Sequence, residues 1–386
     1  MLFRSEAMDQ LWKDAQKGRV LLCDEGAEKA LKGTLSVPLA RVPKMNPDRT
    51  VSSKGRLVWD QRVLNEGTEG DAHPPALQPR HREVVRLILW WTLRLPGIPA
   101  LLAKKDVAEA FKWIWIAPDD VPLFGADLPG DAFGLPGRRV TAVYLCLTFG
   151  FTGSPGQWMV WAWLMKLYHS SFRLEGEEWH DTVPLSSFYL MDDQVLVEPD
   201  IGRRPQESNR VASEAMTLLL GPGALNEEKE KEEGAWETSK LIWGLRYDTE
   251  RMSLALPAPK LEKAYHLLSL SEFDHGAPPP PQRLVQEMRG NQQFWACVLP
   301  EIAPYLGATD ALLARVDAQG RAQPKGTPAQ QQRAWVDFWD AVELQRVLVE
   351  SRSQWETRFC HSLTGALTAD RKSTRLNSSH QIISYA

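Results

Sequence analysis

Short apolar runs alternate irregularly with amphipathic segments over the first two thirds of the chain. Runs such as "ALLAKKD" and "TAVYLCL" have the length of strands, whereas "ESNRVASEAMTLLLG" places Val211, Ala215, Met216 and Leu219 on one face of a helix. Hairpins separate several neighbouring runs, and no internal repeat is visible. The pattern therefore predicts an α+β fold with antiparallel pairing rather than a doubly wound parallel sheet.

Loops and a linker interrupt this pattern. Residues 118–137 are rich in Pro, Gly and Asp and predict an inserted loop, and Gly55 to Asn65 predicts a strand that turns into a loop. "SKLIWGLRYD" and "RMSLALP" predict a pair of strands joined by a turn at "DTER". The proline run of residues 274–281 predicts a stiff linker, and residues 282–369 beyond it are helical in pattern.

One segment has the length of a membrane span. Val140 to Met165 contains no charged residue over 26 positions, but "FGFTGSPGQ" interrupts it with glycine, proline and polar side chains. Lipid cannot satisfy the backbone of such a turn. The segment therefore predicts a buried strand, a glycine-rich turn and a helix, and no membrane association.

The composition is that of a globular protein without a strong overall field. The 386 residues are 43% hydrophobic and 24% charged with a net charge of −4, so any polyanion site has to be local. The segment from Arg41 to Arg62 is one candidate, with a net charge of +4. The four cysteines are too far apart for a zinc ribbon or a disulfide framework, and the N-terminus lacks a signal peptide. We therefore expect an intracellular protein of the cytoplasm or nucleus.

The segment 370–386 has the sequence expected of translated non-coding DNA. Back-translated, Asp370 to His380 matches a widely used sequencing-library adapter, and residues 381–386 continue it as index bases and a constant end. We interpret this segment as translated adapter and exclude it from fold reasoning. The genuine chain is then expected to stop at Ala369.

Candidate chemistry is concentrated in three aspartates at predicted strand ends. Asp192 and Asp193 lie side by side at the tip of a predicted hairpin, and Asp106 ends the strand "ALLAKKD". Acidic residues suit turns and helix N-caps for local reasons, so neither feature is specific by itself. Three carboxylates on adjacent strands, however, are what two divalent ions need when they clamp the attacking and leaving oxygens of phosphoryl transfer.

A series of segments, in the family's order, resembles motifs of reverse transcriptases. "KGRLVWDQRVLN" is similar to the fingers strand that meets the nucleotide phosphates, "KKDVAEAF" to the first catalytic motif, and "LTFGFTGSPGQW" to the glycine–proline motif. "LMDDQVLVEP" is similar to the second catalytic motif, and "LNEEKEKE" with "LIWGLRYDTERMSLALPAPKL" to the lysine motif and primer-grip hairpin. The resemblance is strongest for gypsy-like and tyrosine-recombinase (DIRS-like) retrotransposons. Leu190 departs from it, because the family usually has an aromatic residue there.

The resemblance implies roles for individual residues. Asp106, Asp192 and Asp193 would be catalytic and, with the carbonyl of Val107, would hold two Mg²⁺ ions, for which Mn²⁺ could substitute. The residues implied to bind the nucleotide are Lys54, Arg56, Ala110, Phe111, Phe149, Gly150 and Lys229.

Two of these implied roles have alternatives. Phe111, five residues after the first aspartate, would block the 2′-hydroxyl of a ribonucleotide, and a role in the core is compatible with that. Lys229 would aid the departure of pyrophosphate, the alternative being that its segment is simply a solvated run of charges.

The implied architecture is that of a right-hand polymerase. Residues 1–273 would form fingers and palm with an antiparallel palm sheet and the primer-grip hairpin, and residues 282–369 a helical segment like a thumb or connection. The partners would be an RNA or DNA template with its primer, and dNTPs. RNase H, integrase or recombinase domains of a retroelement polyprotein are expected elsewhere, because no motif of theirs is visible in this chain.

The main expectation is an RNA-directed DNA polymerase that adds dNTPs to a primer 3′-hydroxyl by two-metal nucleotidyl transfer. One alternative is a truncated or inactive retroelement copy that binds nucleic acid without catalysis. A second is an RNA-directed RNA polymerase, which Phe111 disfavours. A non-polymerase metal nuclease would explain the aspartates but not the motifs similar to the fingers and the primer grip.

Overall fold

The computed structural model describes residues 2–24, 31, 33–45, 51–351 and 355–359. Its α-helices are α1 (Leu2–Gln16), α2 (Arg62–Glu66), α3 (His81–Arg94), α4 (Ser154–Ser171), α5 (Arg204–Leu220), α6 (Glu227–Glu233), α7 (Ala258–Leu268), α8 (Gln282–Val298), α9 (Leu306–Leu312) and α10 (Pro328–Ser351). Its strands are β1 (Val20–Asp24), β2 (Leu39–Met45), β3 (Val51–Trp59), β4 (Ala100–Asp106), β5 (Gly125–Pro129), β6 (Arg139–Tyr144), β7 (Ser187–Leu190), β8 (Asp193–Pro199), β9 (Ser239–Ile242), β10 (Leu245–Asp248), β11 (Ser253–Ala255), β12 (Arg315–Val316), β13 (Ala322–Gln323) and β14 (Glu356–Arg358). The adapter-like segment 370–386 lies outside the described residues.

These strands form five sheets, and all of their ladders are antiparallel. The central sheet has the order β4-β8-β7, and a second has the order β14-β11-β10-β9. A third has the order β1-β6-β5, and β2-β3 and β12-β13 form two-stranded ribbons. The predicted α+β class with antiparallel sheets is confirmed.

The central sheet is covered on both faces, which explains the continuous apolar run of β8. Val195 and Val197 point into the core that contains Val84 and Ile88 of α3. The alternate residue, Leu196, packs on the other face in the small cluster that includes Ala212 of α5. A strand buried on both faces loses the usual alternation of apolar and polar residues. The sheet that carries the candidate aspartates is therefore held rigidly between helices.

A fully buried ion pair holds the far end of β8. The Nε atom of Arg204 lies 2.5 Å from Oε2 of Glu198, and neither side chain is exposed. The same guanidinium donates to the carbonyls of His180, Val183 and Pro184, at 2.8 to 3.0 Å. A buried charge is tolerated when its partner and its hydrogen bonds are all present, as they are here. The pair fastens the start of α5 to the end of β8.

Three local predictions are wrong. Residues 118–137 contain the strand β5, whose partner β6 satisfies its backbone, and not only a loop. The run after Trp59 continues into the helix α2. "SKLIWGLRYD" is itself a hairpin, because Trp243 and Gly244 both have positive φ (46° and 84°) and reverse the chain between β9 and β10.

The C-terminal helices share the core of the preceding sheets. Trp295 of α8 and Phe338 of α10 are buried in the same cluster as Val195 of β8 and Leu254 of β11. Strand β14 pairs with β11, with Thr357 opposite Leu254. Strand β14 therefore closes the sheet of β9 to β11 on one edge.

The apolar stretch from residue 140 to 165 folds as the sequence predicts. It comprises most of β6, a turn, and the first two thirds of α4. Within the residues the structure describes, no helix combines the length and the apolar character needed to cross a membrane.

Two helical glycines provide a matched stability test. A Cβ on Gly156 of α4 would lie 1.8 Å from the carbonyl oxygen of Pro74, whereas a Cβ on Gly307 of α9 would meet nothing within 4 Å. We expect Gly156→Ala to lower the free energy of unfolding by roughly 2–4 kcal/mol, because backbone must move to relieve the clash. Gly307→Ala should be neutral or stabilising by up to about 1 kcal/mol, because alanine favours the helix. Urea titration of both variants measures this, and equal effects would contradict the close approach.

Candidate active site

The two predicted catalytic segments meet on adjacent strands. In the register of β4 and β8, the Cα atoms of Asp106 and Asp193 are direct partners, and Asp192 lies in the turn before β8. The backbone N–H of Val107 donates to the carbonyl of Asp192 over 3.1 Å, which ties this turn to the end of β4. Asp106 is only 6% exposed. The structure thus brings the backbones of the three predicted aspartates and of Val107 together at neighbouring strand ends.

The turn that carries Asp192 has only two residues. Leu190 and Asp193 pair across it, and Met191 has a φ of 54°, in the left-handed region. That conformation destabilises a residue with a side chain by roughly 1–2 kcal/mol. So short a turn leaves no freedom of register, and the pairing therefore fixes where both aspartates lie.

Three consecutive residues of β4 form ion pairs with the short helix α6. The pairs are Lys104 with Glu233, Lys105 with Glu230 (2.7 Å between Nζ and Oε1), and Asp106 with Lys229 (2.6 Å between Oδ1 and Nζ). The side chain of Lys105 is fully buried, and its Nζ also donates to Ser213 over 2.8 Å. Burial lowers the pKa of Lys105, and Glu230 opposes that shift. Helix α6 is therefore fastened to the strand that carries the first aspartate.

Asn226 is a site residue that sequence reasoning missed. Its side-chain amide donates to Oδ2 of Asp106 over 2.8 Å, and its backbone N–H donates to the Asp106 carbonyl over 3.0 Å. Its own side-chain oxygen accepts a hydrogen bond from the backbone N–H of Lys229 and caps α6. An asparagine directly before a run of glutamates is a signal for a helix N-cap, so its position was readable, but its contact with Asp106 was not.

The crowded carboxylates change the protonation of the site. Burial, and after it the charge of Asp192, raise the pKa of Asp193 to about 6, while Lys104 and Lys229 oppose the shift. Burial by itself lowers the pKa of Lys229, but its hydrogen bond to Asp106 and the three carboxylate charges raise it overall. The ammonium of Lys229 is therefore charged at neutral pH and offsets part of the repulsion between the aspartates.

Phe111 and Phe149, both predicted to contact a nucleotide, contact each other. Their ring centroids are 5.0 Å apart in an edge-to-face arrangement. Phe111 is 8% exposed and belongs to a buried cluster with Val107 and Trp158, so its core role is real, whereas Phe149 is 44% exposed. Ala110, next to Phe111 in the chain, is buried as well. Of the two rings, Phe149 is therefore the one that solvent or a ligand can reach.

The remaining predicted contacts are Gly150, Lys54 and Arg56. Gly150 has a φ of 112°, and a Cβ there would lie 2.3 Å from the carbonyl oxygen of Trp59, so only glycine fits. Asn65, which sequence reasoning also missed, donates to the Gly150 carbonyl over 2.8 Å across 85 positions of sequence. Lys54 and Arg56 belong to β3, and their side chains lie outside the described residues.

The residue types at this site fit a hard divalent cation. Asp106, Asp192, Asp193 and the Val107 carbonyl are oxygen donors of the kind that Mg²⁺ and Mn²⁺ take. Burial first, and then the charge of Asp192, raise the pKa of Asp193, and a bound cation would favour its charged form. In the part of the chain that the structure describes, no three His, Cys, Asp or Glu side chains are arranged to hold an ion. The two oxygens of Asp106 accept hydrogen bonds from Lys229 and Asn226 instead.

Comparisons with known proteins identify the fold. No protein-family model matches the sequence, and no curated protein matches it. Among solved structures, the chain is similar to the foamy viral protease-reverse transcriptase dRH in complex with double-stranded DNA, with a TM-score of 0.52 and 13% identity over 86% of this chain and 46% of that one. It is also similar to the foamy viral protease-reverse transcriptase in complex with an RNA/DNA hybrid, with a TM-score of 0.51 and 14% identity over 88% of this chain and 37% of that one.

These similarities show a fold of the reverse transcriptase type. The chain spans less than half of the length of either neighbour.

The raised pKa of Asp193 gives a test of the site that needs no ligand. The pKa of this carboxyl is higher in the folded state, about 6, than in the unfolded state, near 3.8. It therefore leaves the free energy of unfolding unchanged below pH 3.8 and lowers it as the pH rises to about 6. With a chelator present, we expect Asp193→Asn to raise the thermal midpoint at pH 7.5 by a few degrees, and to leave it nearly unchanged at pH 4. Asp200→Asn, an exposed residue that directly follows β8, is the control. An equal gain at both pH values would contradict the shift.

Proposed function

We propose that this chain is an RNA-directed DNA polymerase that adds dNTPs to a primer 3′-hydroxyl. The observation that carries the proposal is the register of β4 and β8, which puts Asp106 opposite Asp193 with Asp192 beside it, in a chain with a reverse-transcriptase fold. A polymerase needs carboxylates at such a point because phosphoryl transfer is accelerated mainly by positioning and charge stabilisation.

Asp106, Asp192, Asp193 and the carbonyl of Val107 would hold the divalent cations. When bound, Mg²⁺ or Mn²⁺ neutralises charge on the phosphates and on the attacking oxygen. Lys229, whose ammonium lies 2.6 Å from Asp106, would be the cationic side chain that offsets charge on the departing pyrophosphate. Asn226, which donates to Asp106, would keep the helix of Lys229 anchored to β4.

Nucleotide selection would depend on the turn that follows Asp106. Phe111 is held edge-on against Phe149, so its ring cannot rotate away without disturbing that contact. A rigid aromatic ring there excludes a 2′-hydroxyl by steric conflict, which favours deoxynucleotides. Phe149 and Gly150 would lie against the incoming nucleotide and the templating base, and Lys54 and Arg56 would meet its phosphates.

The wider architecture is proposed by analogy with the same class of enzyme. Residues up to 273 would serve as fingers and palm and the later helices as thumb or connection. The neighbours' complexes with double-stranded DNA and an RNA/DNA hybrid support a primed RNA or DNA template as the partner. A retroelement of the gypsy-like or DIRS-like type, with RNase H and integrase or recombinase supplied elsewhere, is the source that the sequence motifs favour.

One observation favours a second candidate. Both side-chain oxygens of Asp106 accept hydrogen bonds from Asn226 and Lys229, so this carboxylate is satisfied by the protein's own side chains. An inactive retroelement copy with such a site would bind nucleic acid without catalysing extension.

Primer extension by residues 1–369 separates these two functions. We expect dNTP incorporation on an RNA template with Mg²⁺ or Mn²⁺, and a loss of roughly 100-fold or more in Asp192→Asn, because several kcal/mol of charge stabilisation disappear with the carboxylate. The matched control is Asp200→Asn, which should extend primers at the wild-type rate.

The outcomes are distinct. A folded wild-type protein that shifts a primed template in a gel but incorporates nothing supports the non-catalytic candidate. Incorporation that survives Asp192→Asn would show that this carboxylate is not part of the active site.

The role of Phe111 predicts a change in sugar discrimination. Phe111→Val removes the bulk of the ring, and we expect the preference for dNTPs over rNTPs, measured as the ratio of kcat/KM values, to fall by roughly 10–100-fold. Phe172→Val, at the C-terminal end of α4, is the control for loss of a phenylalanine. An unchanged ratio would leave Phe111 as a core residue only.

A further inference from the structure

Glu109 lies in the turn between the first catalytic aspartate and Phe111, and it has an unusual backbone conformation. Its φ is 55°, in the left-handed region, where a residue with a side chain is destabilised by roughly 1–2 kcal/mol. The 3₁₀ turn Ala110–Trp113, which contains Phe111, begins immediately after it. The backbone at Glu109 therefore sets the direction from which Phe111 enters the site.

Three cations hold the carboxylate of Glu109 in place. Nζ of Lys17 and Nη1 of Arg19 lie 2.6 and 2.5 Å from its Oε2, and Nζ of Lys112 lies 3.1 Å from Oε1. Each of these contacts is a charge-assisted hydrogen bond to the carboxylate. Two of its partners come from the N-terminal segment, about ninety positions away in the sequence.

A second layer of contacts fixes those cations. Asp14, whose side chain is not exposed at all, accepts hydrogen bonds from Nζ of Lys112 at 2.8 and 2.9 Å and from the hydroxyl of Tyr144 at 2.5 Å. The side chain of Arg19 is 7% exposed, and its guanidinium lies 4.9 Å from the ring centroid of Trp113. The indole of Trp113 in turn donates to the carbonyl of Ala108 over 2.7 Å. A network whose inner members, Asp14 and Arg19, are buried and hydrogen-bonded in this way favours one geometry.

We propose that residues 14–19 act as a clamp on Glu109 that positions Phe111, and that this clamp, rather than Phe111 alone, sets the choice between deoxy- and ribonucleotides. The proposal rests on the proposed polymerase function. Glu109 and Arg19 are positioning residues in it, because they act through the turn and the ring of Phe111.

The physical argument is that the clamp overcomes a strained backbone. Without the three cations, nothing else among the described contacts of the Glu109 side chain would hold it in the left-handed region. The turn would relax, and Phe111 would move relative to Phe149. Steric exclusion of a single hydroxyl tolerates little displacement, since an error of about 1 Å in positioning changes rates by up to roughly 100-fold. Loss of the clamp should therefore change the preference for dNTPs over rNTPs by a larger factor than it changes the rate of dNTP incorporation.

The first measurement is hydrogen–deuterium exchange on Glu109→Gln, which needs no catalysis. The amides of Lys112 and Ile114 donate to the carbonyls of Glu109 and Phe111 within this turn. We expect their exchange to accelerate at least about tenfold, while a distant hairpin such as β9–β10 is unchanged. Lys17→Gln, which removes a half-exposed partner, should show a smaller change in the same direction and remains informative if Glu109→Gln folds poorly. Lys13→Gln, an exposed lysine on α1, is the matched control.

The second measurement is the dNTP-to-rNTP ratio of kcat/KM for the same variants. We expect Glu109→Gln and Arg19→Gln each to lower the ratio roughly tenfold, with kcat for dNTPs within threefold of wild type. The double variant should lower the ratio no further than the more strongly affected single variant, because both substitutions break the same clamp. In a Phe111→Val background, Glu109→Gln should change the ratio no further. A merely structural role would lower kcat for both substrates and add to the effect of Phe111→Val.

The two measurements separate failure of this proposal from failure of the proposed function. Unchanged exchange in Glu109→Gln overturns the clamp whether or not the chain polymerises. A wild-type protein that incorporates neither substrate overturns the polymerase function, and the exchange result still decides whether the clamp exists. Faster exchange with an unchanged ratio overturns the link from the clamp to Phe111.

Discussion

Two carboxylates placed directly opposite one another on neighbouring strands repel, and the geometry around the site follows from that constraint. The pairing of Asp106 with Asp193 is fixed by the β4–β8 ladder, which is buried on both faces and cannot slip without exposing its apolar side chains. Side chains that contact Asp106 offset this repulsion. Lys229 and Asn226 approach Asp106 from α6, and α6 is attached to β4 by two further ion pairs.

The segment from Asp106 to Trp113 is thereby held between two ionic networks of different origin. At its start, α6 supplies contacts from a part of the chain more than a hundred positions later. At Glu109, the cations come from residues about ninety positions earlier. Each network satisfies charges that burial would otherwise make unfavourable. A short, irregular segment after a buried strand thus acquires the rigidity of the elements around it.

Sequence patterns predicted those features that are determined by residues close together in the sequence. The hairpin at Asp192 was readable because its apolar strands flank a two-residue turn, and α4 because a glycine–proline turn precedes an apolar run. The strand β5 was missed because its composition is that of a loop, and only pairing with β6 makes it a strand. Asn226 and Glu109 were missed for a related reason, since polar residues in turns carry no signal of partners that lie ninety or more positions away. The resemblance to a family supplied the one long-range relation that mattered, between Asp106 and the hairpin.

The strand β14 has a consequence for how the chain folds. Its pairing with β11 joins Leu254 to Thr357, across about a hundred residues, and buries Trp355 against Trp295 in the core shared with the central sheet. Closing so long a loop is entropically unfavourable until the helices between the two strands have formed. In any partly folded chain whose β14 has not yet paired, β11 presents an open edge. Intermolecular strand pairing at that edge would compete with correct folding at high protein concentration.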